Sequence, residues 1–68
     1  MEVKIVRSGG ERPDTVEVDR GASIEDCLEQ AGIDANGASV QLNSEDCELS
    51  ETVRDGDIIT LAKNVKGA

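Results

Sequence analysis

Val53-Arg54-Asp55-Gly56-Asp57-Ile58-Ile59-Thr60-Leu61-Ala62 is the stretch on which the fold turns. Asp55-Gly56-Asp57 is turn chemistry, a glycine between two carboxylates that favour bends over regular structure. Ile58 to Ala62 is the most strand-like run in the chain, rich in β-branched residues. A period of two sets Ile59 and Leu61 on one face, toward a helix, and turns Ile58, Thr60 and Ala62 away.

The helix lies upstream. Ser23 has the chemistry of an N-cap, and Asp26, three residues on, is a weaker form of the capping-box partner. Glu25 and Asp26 suit the positive end of the helix dipole. Ile24, Cys27, Leu28 and Ala31 follow at i, i+3, i+4 and i+7, one apolar face. Gly32 stands where a left-handed cap ends the helix, so the element is expected over 23–31. That is too short to be stable alone in water, so it must lie against a sheet.

The remaining segments supply the sheet. Met1, Val3 and Ile5 alternate with Glu2 and Lys4, a half-buried strand. Ser8-Gly9-Gly10-Glu11-Arg12-Pro13 is dense in turn residues, and Thr15 to Val18 alternates again, with Val16 and Val18 on one face. The pair reads as a hairpin with a wide or bulged loop. After a connection through Ile33-Asp34-Ala35-Asn36-Gly37, residues 38–43 alternate with Val40 and Leu42 inward. Asn43-Ser44-Glu45-Asp46 reads as a polar turn. Leu49, alone in a polar stretch, is consistent with a very short edge strand, and Ser50-Glu51-Thr52-Val53 with a single turn. The order is strand, strand, helix, strand, short strand, strand. It predicts an α+β domain, a mixed sheet of four to five strands with one helix across one face. The last strand would lie beside the first and parallel to it, through a right-handed crossover.

Composition narrows the function. Sixty-eight residues make one domain at most, and the absence of Phe, Tyr and Trp excludes an aromatic-lined ligand pocket or a base-stacking platform. Seven Lys and Arg against fifteen Asp and Glu give a net charge of −8. Phosphate backbones and anionic lipid surfaces repel such a surface, so neither nucleic acid nor membrane is an expected partner. No apolar run approaches the roughly 20 residues of a bilayer span. The expected setting is the cytoplasm, with partners that carry basic patches; salt adaptation is the alternative source of the acidity.

Catalytic chemistry is sparse. There is no His, the commonest general base and metal ligand. Cys27 and Cys47 stand twenty apart, without the spacing of a dithiol motif and too few for a structural zinc. Cys27 falls on the apolar helix face and reads as core. Cys47 sits among Ser44, Glu45, Asp46 and Glu48, acids that disfavour a thiolate. Asp55-Gly56-Asp57 lacks the twelve-residue ligand spacing of a calcium loop and reads as a charged turn. Gly9-Gly10 is followed by Glu11 rather than the Gly-Lys-Ser or Gly-Lys-Thr of a phosphate loop. No metal site, bound cofactor or enzyme is expected.

The chain as a whole resembles the ubiquitin-like β-grasp proteins. Within them it is most similar to the ThiS/MoaD-type sulfur carriers of thiamine and molybdopterin synthesis and to the archaeal and bacterial ubiquitin-like small modifiers. Four segments carry the resemblance: Gly21-Ala22-Ser23-Ile24 with Leu28 leading the helix; Val40-Gln41-Leu42-Asn43; Val53-Arg54-Asp55-Gly56-Asp57-Ile58; and Val65-Lys66-Gly67-Ala68. With the elements between them they span nearly the whole chain. Each is weak alone; the acidic turn, apolar strand and glycine-containing end are fairly specific together.

The resemblance implies a β-grasp domain over 1–62 and a flexible C-terminal tail over 63–68. It implies a ThiF/MoeB-type, E1-like partner that adenylates the terminal carboxylate with ATP and magnesium. Sulfur transfer then gives a thiocarboxylate for a cofactor-synthesis enzyme, or the activated carboxyl joins a lysine of a target protein. Val65, Lys66, Gly67 and Ala68 form the activation tail. Val6, Thr60 and Ala62, with Val65 following on the tail, make the expected docking patch. The family usually ends Gly-Gly, and here Ala68 takes the place of the last glycine. Three readings follow. The partner tolerates the methyl group; a JAB-type peptidase trims Ala68; or the tail is not activated and the domain is a ubiquitin-like binding module. The free chain is expected to be a monomer.

Overall fold

Alternation in the first strand holds in three dimensions: Val3 and Ile5 are fully buried while Glu2 and Lys4 face water. The computed structural model describes residues 1–7, 12–34 and 38–63 of the 68. Its elements are β1 (Glu2–Arg7), β2 (Asp14–Glu17), α1 (Ile24–Ala31), β3 (Ala38–Leu42), β4 (Glu45–Asp46) and β5 (Ile58–Lys63). They form one five-stranded sheet in the order β2-β1-β5-β3-β4. β5 runs parallel to β1 and antiparallel to β3, so the last strand inserts at the centre beside the first. The helix covers one face.

Helix α1 is closed at both ends by its own sequence. The Ser23 hydroxyl accepts the Asp26 N–H at 3.2 Å, and the Asp26 carboxylate accepts the Ser23 N–H at 3.0 Å, so the shorter Asp completes the capping box. At the other end Gly32 turns left-handed at φ 70°. Its N–H and that of Ile33 donate to Glu29 and Leu28, the paired bonds of a Schellman closure. Ile24, Cys27 and Leu28 lie at 0–3% exposure against Val3, Ile5, Val16, Ile59 and Leu61. Burying side chains of this size contributes roughly 1.5–3 kcal/mol each.

The second half departs from expectation in three places. The edge strand is β4 at Glu45–Asp46 rather than at Leu49. Asn43 and Ser44 both take positive φ, 51° and 72°, so the expected four-residue polar turn tightens to two residues and Glu45 pairs with Leu42. Leu49 instead lies in a turn at 37% exposure, and its carbonyl accepts the Glu25 N–H. Residues 50–53 do not form a turn of their own. Thr52 bridges to Ser23, Glu51 O accepts the Ile24 N–H, and the Val53 N–H donates to Ala22 O. The first amides of α1 thereby find acceptors that no intrahelical bond supplies. Val53 is pinned into the core at 1% exposure. β5 extends one residue past Ala62, to Lys63.

Candidate functional site

The sheet face opposite the helix is set by register. Val6 of β1 lies beside Thr60 of β5, Lys4 beside Ile58, and on the other flank Gln41 and Ser39 of β3 lie beside Thr60 and Ala62. Val6, Thr60 and Ala62, singled out from the pleat, therefore share this outer face. Val6 is 38% exposed, Thr60 half-buried and Ala62 exposed. The structure adds Ile58, at 41% the most exposed large apolar side chain among the described residues. Its alternation with Ile59 already turned it outward; its place beside Val6 and Thr60 follows only once β5 lies against β1. Val65, Lys66, Gly67 and Ala68 lie outside the described residues.

This face is a narrow apolar stripe between polar margins. Lys4 supplies a cation at one end. Glu2 and Glu17 pair across β1 and β2 on the same face, two carboxylates side by side. On the other margin the Gln41 amide donates to Asp46 at 3.2 Å.

The Asp55-Gly56-Asp57 turn fixes where β5 starts. The Asp57 carboxylate accepts the Arg54 N–H at 2.8 Å and the Asn43 side-chain amide at 3.1 Å. Asn43 in turn accepts the Ile58 N–H at 3.0 Å, and its own N–H donates to Ile58 O. Asp55 accepts the Glu2 N–H at 2.8 Å, and the Asp57 carbonyl accepts the Lys4 N–H. Gly56 supplies the φ of 85° that the turn needs. The cluster is thus a clamp joining β1, the β3–β4 hairpin and β5. Its carboxylates serve backbone and side-chain amides of the protein itself. Sequence alone showed the turn but not its long-range partners Asn43, Glu2 and Lys4, which lie 14 or more residues away.

The described side chains offer little for covalent chemistry. Cys27 and Cys47 are both free thiols. Burial pushes the Cys27 thiol up, helped by Asp26 and Asp57. Burial also raises Cys47, with Glu51 and Asp46 adding to it. Both stay protonated and weakly nucleophilic near neutral pH. Among the described residues no three His, Cys, Asp or Glu side chains are placed to hold a metal, and no helix is long and apolar enough to cross a membrane. What the site offers is a surface.

No protein-family model matches the chain, and no curated relative matches its sequence. Solved structures do match. The chain is similar to small archaeal modifier protein 1 of Haloferax volcanii, with a TM-score of 0.78 at 21% identity over 94% of this chain and 98% of that one. It is similar to a chain in the protein–protein complex of subunits 1 and 2 of molybdopterin-converting factor from Helicobacter pylori, at 0.71 and 21% over all of both chains. It is also similar to Urm1 of Trypanosoma brucei, at 0.68 and 12% over 98% of this chain and 95% of that one. Five strands in the order β2-β1-β5-β3-β4 around one helix, matched end to end by these structures, give the chain the ubiquitin-like β-grasp fold.

Proposed function

We propose that the chain is a small ubiquitin-like sulfur carrier or protein modifier, acting in the cytoplasm as the substrate of an E1-like adenylating enzyme rather than as an enzyme. The partner supplies ATP and magnesium and adenylates the C-terminal carboxylate. The activated carboxyl then either accepts sulfur, as a thiocarboxylate for a cofactor-synthesis enzyme, or acylates a lysine amine of a target protein.

One observation carries this reading: β5 is the central strand of a β-grasp sheet, held on both sides, and ends at Lys63 with residues 64–68 following. Fully extended, those residues reach at most about 17 Å, a span suited to entering a channel that leads to bound ATP. Gly67 and the small Ala68 side chain permit close approach of backbone to nucleotide. Val6, Ile58, Thr60 and Ala62 sit on the outer face of the same strand pair and would seat the body while the tail threads. Val65, Lys66, Gly67 and Ala68 are the tail. Because the reacting group is the carboxylate and the partner supplies the catalytic residues, the chain needs no acid–base pair of its own.

Ala68 favours a second reading, a ubiquitin-like binding module that is never activated. A methyl group at the reacting carboxyl is a small change at the point where misplacement costs most. A JAB-type peptidase that exposed Gly67 would remove the difficulty.

The test is intact mass spectrometry of the protein from its native host, with the C-terminus sequenced. Purified chain is assayed alongside for pyrophosphate exchange with E1-like enzymes of that host. An oxygen-to-sulfur exchange at Gly67 or Ala68 identifies a carrier, and a bond to a lysine of another protein identifies a modifier. Full-length, unmodified Ala68 under every condition, without exchange, leaves the binding module.

A further inference from the structure

β3 is half-buried at every residue, whereas β1, β2 and β5 each bury at least one side chain outright. Val40 stands opposite Leu61 and Leu42 opposite Ile59, so both point to the helix side. Helix α1 lies closest to β2, at the other end of the sheet, and leaves them partly open. The result is an open groove of about 730 Å³ between β3 and residues 47–50. Ala38, Val40, Cys47 and Leu49 supply its apolar part, and Leu49 is 37% exposed. Glu25, Asp46 and Glu48 are its charged groups, and no described cation lines it.

The chain itself supplies an occupant. Lys63 ends β5 opposite Ala38, which lines the groove, so residue 64 starts about 5 Å, one strand spacing, from that lining. Residues 64–68, Asn-Val-Lys-Gly-Ala, reach at most about 17 Å, enough to cross the start of β3 and run back along it. Asn64 and Gly67 are residue types that admit the left-handed backbone a reversal needs. Val65 is the one large apolar side chain of the segment, and Lys66 its one charged side chain, of the sign the groove lacks. A second copy of the chain is a poor occupant, because it would bring a net charge of −8 to a wall of carboxylates.

We propose that in the free chain residues 64–68 fold back into this groove, with Val65 on Val40 and Leu49 and with Lys66 beside Glu25 and Glu48. The contact is small, one apolar side chain and exposed ion pairs that are individually weak. It holds the segment only until a partner draws it out. The seated and extended arrangements exclude one another, so any protein that takes the tail binds it in competition with the groove. This self-contact goes beyond the activation reading and needs no chemistry at the carboxylate, so the two stand or fall separately.

The test uses the full chain, isotope-labelled, and reads methyl–methyl nuclear Overhauser contacts first. The Val65 methyls give cross-peaks to Val40 and Leu49. The second readout is alkylation of Cys47 by iodoacetamide, a neutral probe, with fully buried Cys27 as the internal reference. A segment seated about two-thirds of the time protects the Cys47 thiol about threefold, so Val65→Ser and Lys66→Glu each speed its alkylation by up to about that factor. Both leave the urea midpoint in place. Raising the ionic strength from about 0.05 to about 0.5 M speeds the reaction in the parent but not in Lys66→Glu. Loss of a nearby cation would by itself disfavour the thiolate and slow the reaction, so a faster rate in Lys66→Glu reports uncovering. Val65 methyls without a cross-peak to Val40 or Leu49 overturn the proposal, as do cross-peaks to Val6 and Ile58 in their place. So does a single alkylation rate across the parent and both variants.

Discussion

Ile58 and Ile59 are adjacent residues of one type in one strand, and the protein uses them in opposite ways. Ile59 is fully buried under α1; Ile58 is 41% exposed on the other side of the same sheet. The pleat alone makes that difference. The helix-side face is closed by Val3, Ile5, Ile24, Cys27, Leu28 and Leu61. The outer face carries a thin stripe of Val6, Ile58, Thr60 and Ala62 between charged margins. Burial on one side supplies the stability that lets the other side leave apolar atoms in water. In a chain of 68 residues without an aromatic ring, that division leaves little to spare.

The largest effect that tests this division is at Ile59. Ile59→Ala opens a void among the fully buried side chains of the core, and should cost about 2–5 kcal/mol. In a urea titration the midpoint falls sharply while the slope holds. A loss below about 1 kcal/mol would mean that the two faces are not energetically distinct.

Val53 sharpens the comparison, because it reaches the closed face from outside any strand or helix. Val53→Ala should cost about 2 kcal/mol, combining lost methyl burial with a small cavity. The same titration measures it. A near-neutral result would show that the main-chain bonds to Ala22 and Ile24 hold the 51–53 segment without the side chain.

Val53 also marks where sequence reading ends. The helix, its caps, β1 and β5 were legible because each is written in local periodicity or in capping chemistry, and the parallel pairing because a strand that follows a crossover helix can return beside the first. Asp57 and Val53 were not. Val53 stands in a polar run with no period, and it is buried only because residues 49–53 provide acceptors for the start of α1, some 25 residues earlier in the chain. The Asp-Gly-Asp turn was legible as a turn, but its grip on Asn43 needs the β3–β4 hairpin already in place. The edge strand went to Glu45–Asp46 because Asn43 and Ser44 accept left-handed backbone, a tolerance Asn shows more than most residues. At the site, alternation turned Val6, Ile58, Thr60 and Ala62 outward; the parallel β1–β5 register is what set Ile58 next to Val6.

The smallest expected change in stability is at Ile58, and it is the most informative. Ile58→Ser removes a side chain that is 41% exposed from the central strand, so folding stability should fall by about 1 kcal/mol, well short of the loss at Ile59. If the outer stripe seats the activating partner, affinity for an E1-like enzyme should fall about tenfold, since a central apolar contact is lost from a small interface. The two readouts pull apart only if the two faces of β5 have separate duties. A stability loss approaching that of Ile59→Ala would return Ile58 to the fold. A small stability loss with unchanged affinity would remove the stripe from the docking surface and leave Ile58 with no duty beyond completing the pleat of β5.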